Sequence, residues 1–212
     1  MSLRTALLWF GVVAGPLSLL VRTYLTLASR VDNGDSLLGA LAFLFTFFTV
    51  LTNLMMALCY VAAATEWRWL GWWNRPFARG LTAGSIIMVS LYYLFFLSGL
   101  ETLTGIDNLL NIYMHYLAPW LFVLWWLLTA GHGALRFSDV PRMLVYPLAY
   151  VIVVMIRGAL VHEYPYPILN VDELGYGQVA VGCFGMLVGF VVIYVVTVAV
   201  DRWLGRRQPA GA

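Results

Sequence analysis

The chain has 212 residues, 62% of them hydrophobic and only 10% charged, where a soluble domain carries roughly 25% charged residues. Its twelve basic residues are all arginine, ten acids leave a formal net charge of +2, and nine Trp, twelve Tyr and twelve Phe make it 16% aromatic. That balance excludes a disordered chain, a nucleic-acid binder built on a basic patch and an ordinary soluble enzyme, and points to a protein embedded in a bilayer.

A membrane helix needs about 20 predominantly apolar residues to cross roughly 30 Å of hydrocarbon. Six stretches qualify, over 5–28, 37–64, 79–100, 109–130, 143–161 and 177–200. The predicted fold is an all-α membrane protein, a six-transmembrane-helix bundle forming a single integral membrane domain over 1–212. Short polar segments with turn chemistry separate the spans, among them Asp32-Asn33-Gly34-Asp35, Asn74-Arg75-Pro76 and Tyr164-Pro165-Tyr166-Pro167. The first span has no small-x-small cleavage site and contains Arg22, so it reads as a retained helix rather than a signal peptide. Arg4, Arg68, Arg75, Arg79, Arg136, Arg142, Arg202, Arg206 and Arg207 fall on one side of the predicted bundle. Arg30 alone falls in a loop on the other, with Asp32, Asp35, Glu101, Asp107, Glu163, Asp172 and Glu173. The positive-inside rule then predicts cytoplasmic N- and C-termini.

Polar residues within the spans are costly unless paired, so their positions carry information. In the first and fifth spans, Arg22 and Arg157 lie within about two turns of the outer ends. Snorkelling, or pairing with an outer-loop acid such as Glu163 or Asp172, accounts for them as well as an inward role in holding a carboxylate or phosphate. In the second span Thr46, Thr49 and Asn53 fall within about a 60° arc, with Thr52 to one side. Small residues at Gly39, Ala42 and Ala57 extend that stripe, which fits a close-packing seam as well as a functional face. The fourth span places Asn111 and His115 on one face. Pro119 frees the His115 carbonyl, since proline has no N–H to donate four residues back. His115 would lie ~9 Å below the outer surface at 1.5 Å per residue. In the sixth span Gly182, Gly185 and Gly189 fit close helix packing.

Other chemistries are absent from the pattern. There is no nucleophile elbow, zincin helix, P-loop or dinucleotide fingerprint. Cys59 and Cys183 lie in apolar runs, which argues against a disulfide framework or a cysteine metal site. Haem ligation by two histidines is disfavoured because His115 and His132 belong to opposite halves of the membrane. No metal, cofactor or nucleic-acid partner is expected.

The run Phe47-Phe48-Thr49-Val50-Leu51-Thr52-Asn53-Leu54, then Asn111-x-x-Met114-His115 with Pro119, then Tyr164-Pro165-Tyr166-Pro167-Ile168-Leu169-Asn170-Val171 follow in order. This resembles the bacterial six-span branch of the androgen-induced membrane protein family, which includes the androgen-dependent TFPI-regulating protein. Animal members are intramembrane hydrolases of fatty acid esters of hydroxy fatty acids. The resemblance implies a bacterial cytoplasmic-membrane protein acting on a membrane lipid or fatty acid ester. It implies a threonine nucleophile and a histidine base, here Thr49 and His115, with Thr46 and Thr52 as alternative positions for the nucleophile. Asn53 or Asn111 would orient the imidazole or donate to the oxyanion, and Arg22 or Arg157 would anchor a free carboxylate. The alternative from another class is a non-catalytic lipid-binding or transport protein using the same polar cavity. A threonine oxygen within about 2.6–3.2 Å of a His115 nitrogen separates the two.

Overall fold

The computed structural model describes residues 1–100, 102–129 and 131–207. Glu101 in the predicted outer loop, and Ala130 at the predicted end of the fourth span, lie outside the described residues. Among the described residues all regular structure is helical: α1 Leu3–Asp32, α2 Leu37–Leu44, α3 Phe48–Thr65, α4 Pro76–Tyr92, α5 Gly105–Ile112, α6 Ala118–Leu127, α7 Val140–Val161 and α8 Val171–Arg207, with short 3-10 turns and two π-helical turns, Tyr93–Leu97 and Tyr113–Leu117.

Among the described residues five helices are long and apolar enough to cross a membrane: Leu3–Asp32, Phe48–Thr65, Pro76–Leu97, Phe137–Val161 and Val171–Arg207. Three departures from the expected spans matter. The predicted helix over 37–64 is two helices, because the chain turns at 45–47. The predicted span over 109–130 starts earlier and is assembled from α5, a π turn and α6 in succession. The last helix begins at Val171 rather than 177, and bends where Gly175 adopts φ +72°, a conformation that glycine takes without steric cost.

The helices form an inner pair and an outer ring. Most of the apolar stretch of α3 and α4 is buried (61% in each), against 22% in α1 and α7 and 17% in α8. Close approach inside this core depends on small residues. Gly84 of α4 leaves the space that the Tyr194 ring of α8 fills, and the Tyr194 hydroxyl sits 2.8 Å from Ser85 Oγ. Ala83, Ser85 and Ile86 are fully buried around this contact. Large apolar side chains such as Leu20, Leu160 and Val181 point outward instead, as they do on a surface covered by lipid.

The two ends of the bundle differ in charge. At the arginine-rich end Arg79 lies over the Trp125 ring and Gly133 packs on the backbone of Gly205. At the acid-rich end Arg22 pairs with Asp107 at 3.0 Å, while Arg30 bridges Asp35 and Glu163. Glu163 also takes Arg157 at 2.6 Å. Burial alone would raise the Glu163 carboxyl, but the hydrogen bonds from Arg157 and Arg30 outweigh it and hold its pKa below the ordinary carboxylate value.

Candidate functional site

The turn at 45–47 creates a helix start in the middle of an apolar segment. Phe45-Thr46-Phe47 contains neither glycine nor proline, so the turn is imposed from outside. Thr46 closes it through its amide and hydroxyl, which donate to the Phe43 carbonyl at 2.9 and 2.6 Å. Tyr150 of α7 donates to the Thr46 carbonyl at 2.6 Å, using an acceptor that a continuous helix would give to Val50. Phe48 wedges against Tyr146, Tyr150 and Phe190, with ring centroids 4.9, 5.0 and 5.6 Å apart. Thr49 becomes the second residue of α3, which no side chain caps. First-turn amides have no acceptor within their own helix, and that of Thr49 donates to the Tyr166 hydroxyl at 3.4 Å.

The facing wall is built from the two π turns. Where Pro119 cannot donate back to His115, the ladder widens and the Ala118 amide reaches the Tyr113 carbonyl. Such π turns recur at functional sites because they re-aim one side chain. His115 sits at the centre of this one. Tyr93, first residue of the other π turn, stacks on its ring with centroids 4.1 Å apart. Asn111 Nδ2 donates to the Tyr93 hydroxyl at 2.5 Å and so steadies the stacked ring.

Thr49 Oγ1 lies 3.2 Å from His115 Nε2, and His115 Nδ1 lies 3.1 Å from the Asn111 carbonyl. A carbonyl only accepts, so the imidazole proton belongs on Nδ1 and the Nε2 lone pair faces the threonine hydroxyl. The Tyr166 hydroxyl stands 3.4 Å from Thr49 Oγ1 on the other side. Its oxygen accepts the Thr49 amide, which leaves its own proton to give. Burial raises the Tyr166 phenol above its ordinary value, against the opposing pull of its bonds with Thr49, so it remains a donor. Proton direction thus runs from Tyr166 to Thr49 to His115 to Asn111.

The other expected site residues lie elsewhere or act otherwise. Thr46 belongs to the turn, and Thr52 pairs at 2.9 Å with the Tyr146 hydroxyl; neither faces His115. Asn53 does not touch the imidazole. Its Nδ2 donates to the carbonyls of Thr49 at 2.9 Å and Met114 at 3.3 Å, stapling α3 to the π turn, while its buried Oδ1 has no partner. A flipped amide would set its oxygen against both carbonyls, so this orientation is the one the partners allow. Asn111 orients the imidazole through its backbone carbonyl rather than its side chain. Arg157 is committed to Glu163 through both its carbonyl and its carboxylate. Arg22 spends one N–H on Asp107 and lines the cavity beside Thr49 and His115.

That cavity holds about 440 Å³ and is walled by Phe47, Tyr93, Asn111 and Tyr166 besides Thr49 and His115. A narrower apolar space of about 70 Å³ also borders Thr49 and His115 and is lined by residues of α4, α7 and α8. Sequence reading assigned no role to Tyr93 or Tyr166. The available signal was Tyr166 held between Pro165 and Pro167, a stiff turn presenting one phenol. Among the described residues no group of histidine, cysteine, aspartate and glutamate side chains could hold a metal ion. No protein-family model matches the chain, and no curated protein or solved structure matches it significantly.

Proposed function

We propose that this chain is an intramembrane hydrolase of lipid esters, of the fatty acid ester of hydroxy fatty acid type, with Thr49 as nucleophile and His115 as base. The observation that carries the reading is the 3.2 Å approach of Thr49 Oγ1 to a His115 Nε2 that is free to accept its proton. A threonine hydroxyl is a weak nucleophile and reacts only when a neighbouring base takes its proton.

The Thr49 oxygen attacks the ester carbonyl carbon as its proton moves to Nε2. The carbonyl oxygen takes up negative charge and accepts from the Tyr166 hydroxyl, close to the amide end of α3, where partial positive charge favours an anion. Collapse breaks the bond to the alcohol oxygen, which leaves with the proton from Nε2. Water then attacks the threonyl ester, gives its proton to the same nitrogen, and releases the fatty acid as Thr49 recovers its proton. The imidazolium formed in each half is steadied by a neutral carbonyl rather than a carboxylate. Arg22, with N–H groups left over after Asp107, anchors a free carboxylate at the mouth of the larger cavity. The sequence resemblance to the androgen-induced family supports the same pair.

Six crossings with both termini cytoplasmic fit this reading. The succession of α5, the π turn and α6 supplies the remaining crossing, and the arginine-rich loops then face the cytoplasm of a bacterial cell. Thr49 and His115 would lie below the outer surface, where a lipid ester reaches them sideways. A fluorophosphonate probe tests the chemistry: it is expected to label Thr49 in the purified protein and to label nothing in Thr49→Ala. A protein that carries bound lipid but neither takes the probe nor hydrolyses any lipid ester is the non-catalytic binder instead.

A further inference from the structure

A third space opens on the outside of the bundle between α4 and α8. It is a groove of about 570 Å³, lined by Met88, Phe95, Phe96, Gly185, Met186 and Val192 among others. It shares Met88, Tyr92, Ile168 and Met186 with the narrow apolar space that ends on Thr49 and His115. The wall between groove and reactive pair is thus only a few side chains thick. Two of them are methionines, whose unbranched chains repack at little cost. Of the three glycines expected to bring helices together, Gly185 does not. A Cβ on Gly182 would meet the Ile168 side chain, one on Gly189 would meet Met88, and one on Gly185 would meet nothing within 4 Å. Gly185 faces open space, about 14 Å along α8 from Tyr176 at 1.5 Å per residue. That depth belongs to acyl chains rather than headgroups.

We propose that the groove between α4 and α8 is the lateral passage by which the acyl chain of a lipid ester leaves the bilayer and reaches Thr49. The inference rests on the hydrolase reading and adds an orientation to it. The apolar acyl limb lies in the groove and the narrow space, with Met88 and Met186 moved aside. The limb that ends in an anion lies in the larger cavity towards Arg22. The ester carbonyl is where the two spaces meet. The occupant is an acyl chain because the groove is almost wholly apolar, faces lipid at hydrocarbon depth, and runs on to the reactive hydroxyl.

Gly185→Phe fills the groove from a position whose Cβ meets nothing within 4 Å, and Val181→Phe places the same side chain on an exposed stretch of α8 outside it. Both are compared with the unsubstituted protein, in liposomes, on butyryl and palmitoyl esters of one chromogenic alcohol. Displacing two or more buried methylenes is expected to lower kcat/KM for the palmitoyl ester roughly tenfold or more in Gly185→Phe. Butyryl ester turnover there, and both activities in Val181→Phe, should stay within about twofold, the scatter of a surface change. An unchanged palmitoyl-to-butyryl ratio in Gly185→Phe, with the unsubstituted protein active on both esters, overturns the passage and leaves the hydrolase standing. No hydrolysis of either ester by the unsubstituted protein overturns the reading beneath it.

Discussion

His115 and His132 each place one ring nitrogen on a backbone carbonyl, yet the two ends of the bundle use them differently. His132 Nε2 meets the Trp126 carbonyl and its Nδ1 meets Asp201 Oδ1, both at 3.0 Å, in a pocket where the two side chains are 3% and 2% exposed. The second Asp201 oxygen accepts the amides of Gly133 and Leu135 at 2.9 Å each. Gly133, at φ +92°, lets this loop lie directly on Gly205. Both nitrogens of His132 already have hydrogen-bond partners, and no cavity adjoins them among the spaces described. His115 commits only Nδ1; its other nitrogen faces a hydroxyl that borders two cavities. The partners of His132 are fixed loop and carboxylate groups, whereas one nitrogen of His115 faces a hydroxyl that open space can reach.

The sharpest way to break this comparison is to remove each partner and read activity and stability separately. Thr49→Ala and His115→Ala are each expected to lower ester hydrolysis by about 10⁴-fold or more, with the double variant little worse, because nucleophile and base act as one unit. Both should melt near the unsubstituted protein, since a membrane side-chain hydrogen bond averages about 0.6 kcal/mol. Unequal losses that add in the double variant would separate the two residues. Asp201→Asn reverses the pattern. It offers one acceptor oxygen where two served, and turns an NH2 towards either the imidazole or the two loop amides. Leaving a buried donor without its acceptor costs about 1–3 kcal/mol, so thermal unfolding in detergent should shift downward while activity per folded molecule holds. A stable Asp201→Asn with lost turnover would move the chemistry to the other end.

Two smaller effects refine the acid-rich end. Arg22→Gln should weaken binding of a free-acid lipid by roughly ten- to a hundredfold relative to its methyl ester, the worth of one charge-assisted contact of about 1.5–3 kcal/mol. Equal loss for acid and ester would reduce Arg22 to a partner of Asp107. Arg157→Gln should not show the acid preference, because Glu163 already occupies that guanidinium. The least effect is expected from Glu163, which carries the loop holding Tyr166. Its folded pKa is depressed, so its contribution is present at neutral pH and is lost as pH falls from the ordinary carboxylate value, about 4.3, through the lower folded one. Being partly exposed, the pair is worth no more than about 1 kcal/mol. Hydrogen exchange over 162–170 should quicken in that acid window, and Glu163→Gln should exchange at the fast rate already at neutral pH.

Much of this molecule is written in its hydropathy. Long apolar runs separated by polar turns dictate helices of membrane length, because every backbone group in hydrocarbon must be bonded within its own segment. The pairing of Asn111-x-x-Met114-His115 with Pro119 already marks His115 as a residue beside a weakened ladder. The choice among Thr46, Thr49 and Thr52 could not be read that way, since on a continuous helix Thr46, Thr49 and Asn53 share one face. It depends on Tyr150 drawing the Thr46 carbonyl out of the helix from 104 residues away, which no local signal at 45–47 announces.

The same division runs through the whole site. Sequence alone determined what is local and periodic: apolar length, the one-sided arginines, the proline that opens the ladder after His115. Tertiary structure decided everything that depends on a second segment arriving. It made Thr49 a helix start, brought its hydroxyl to His115 Nε2, brought Tyr166 across 117 residues to the threonine hydroxyl, and gave Arg22 rather than Arg157 to the cavity. A helix is stabilised by bonds within one stretch of chain, whereas the approach of Thr49 to His115 exists only where two stretches pack against each other.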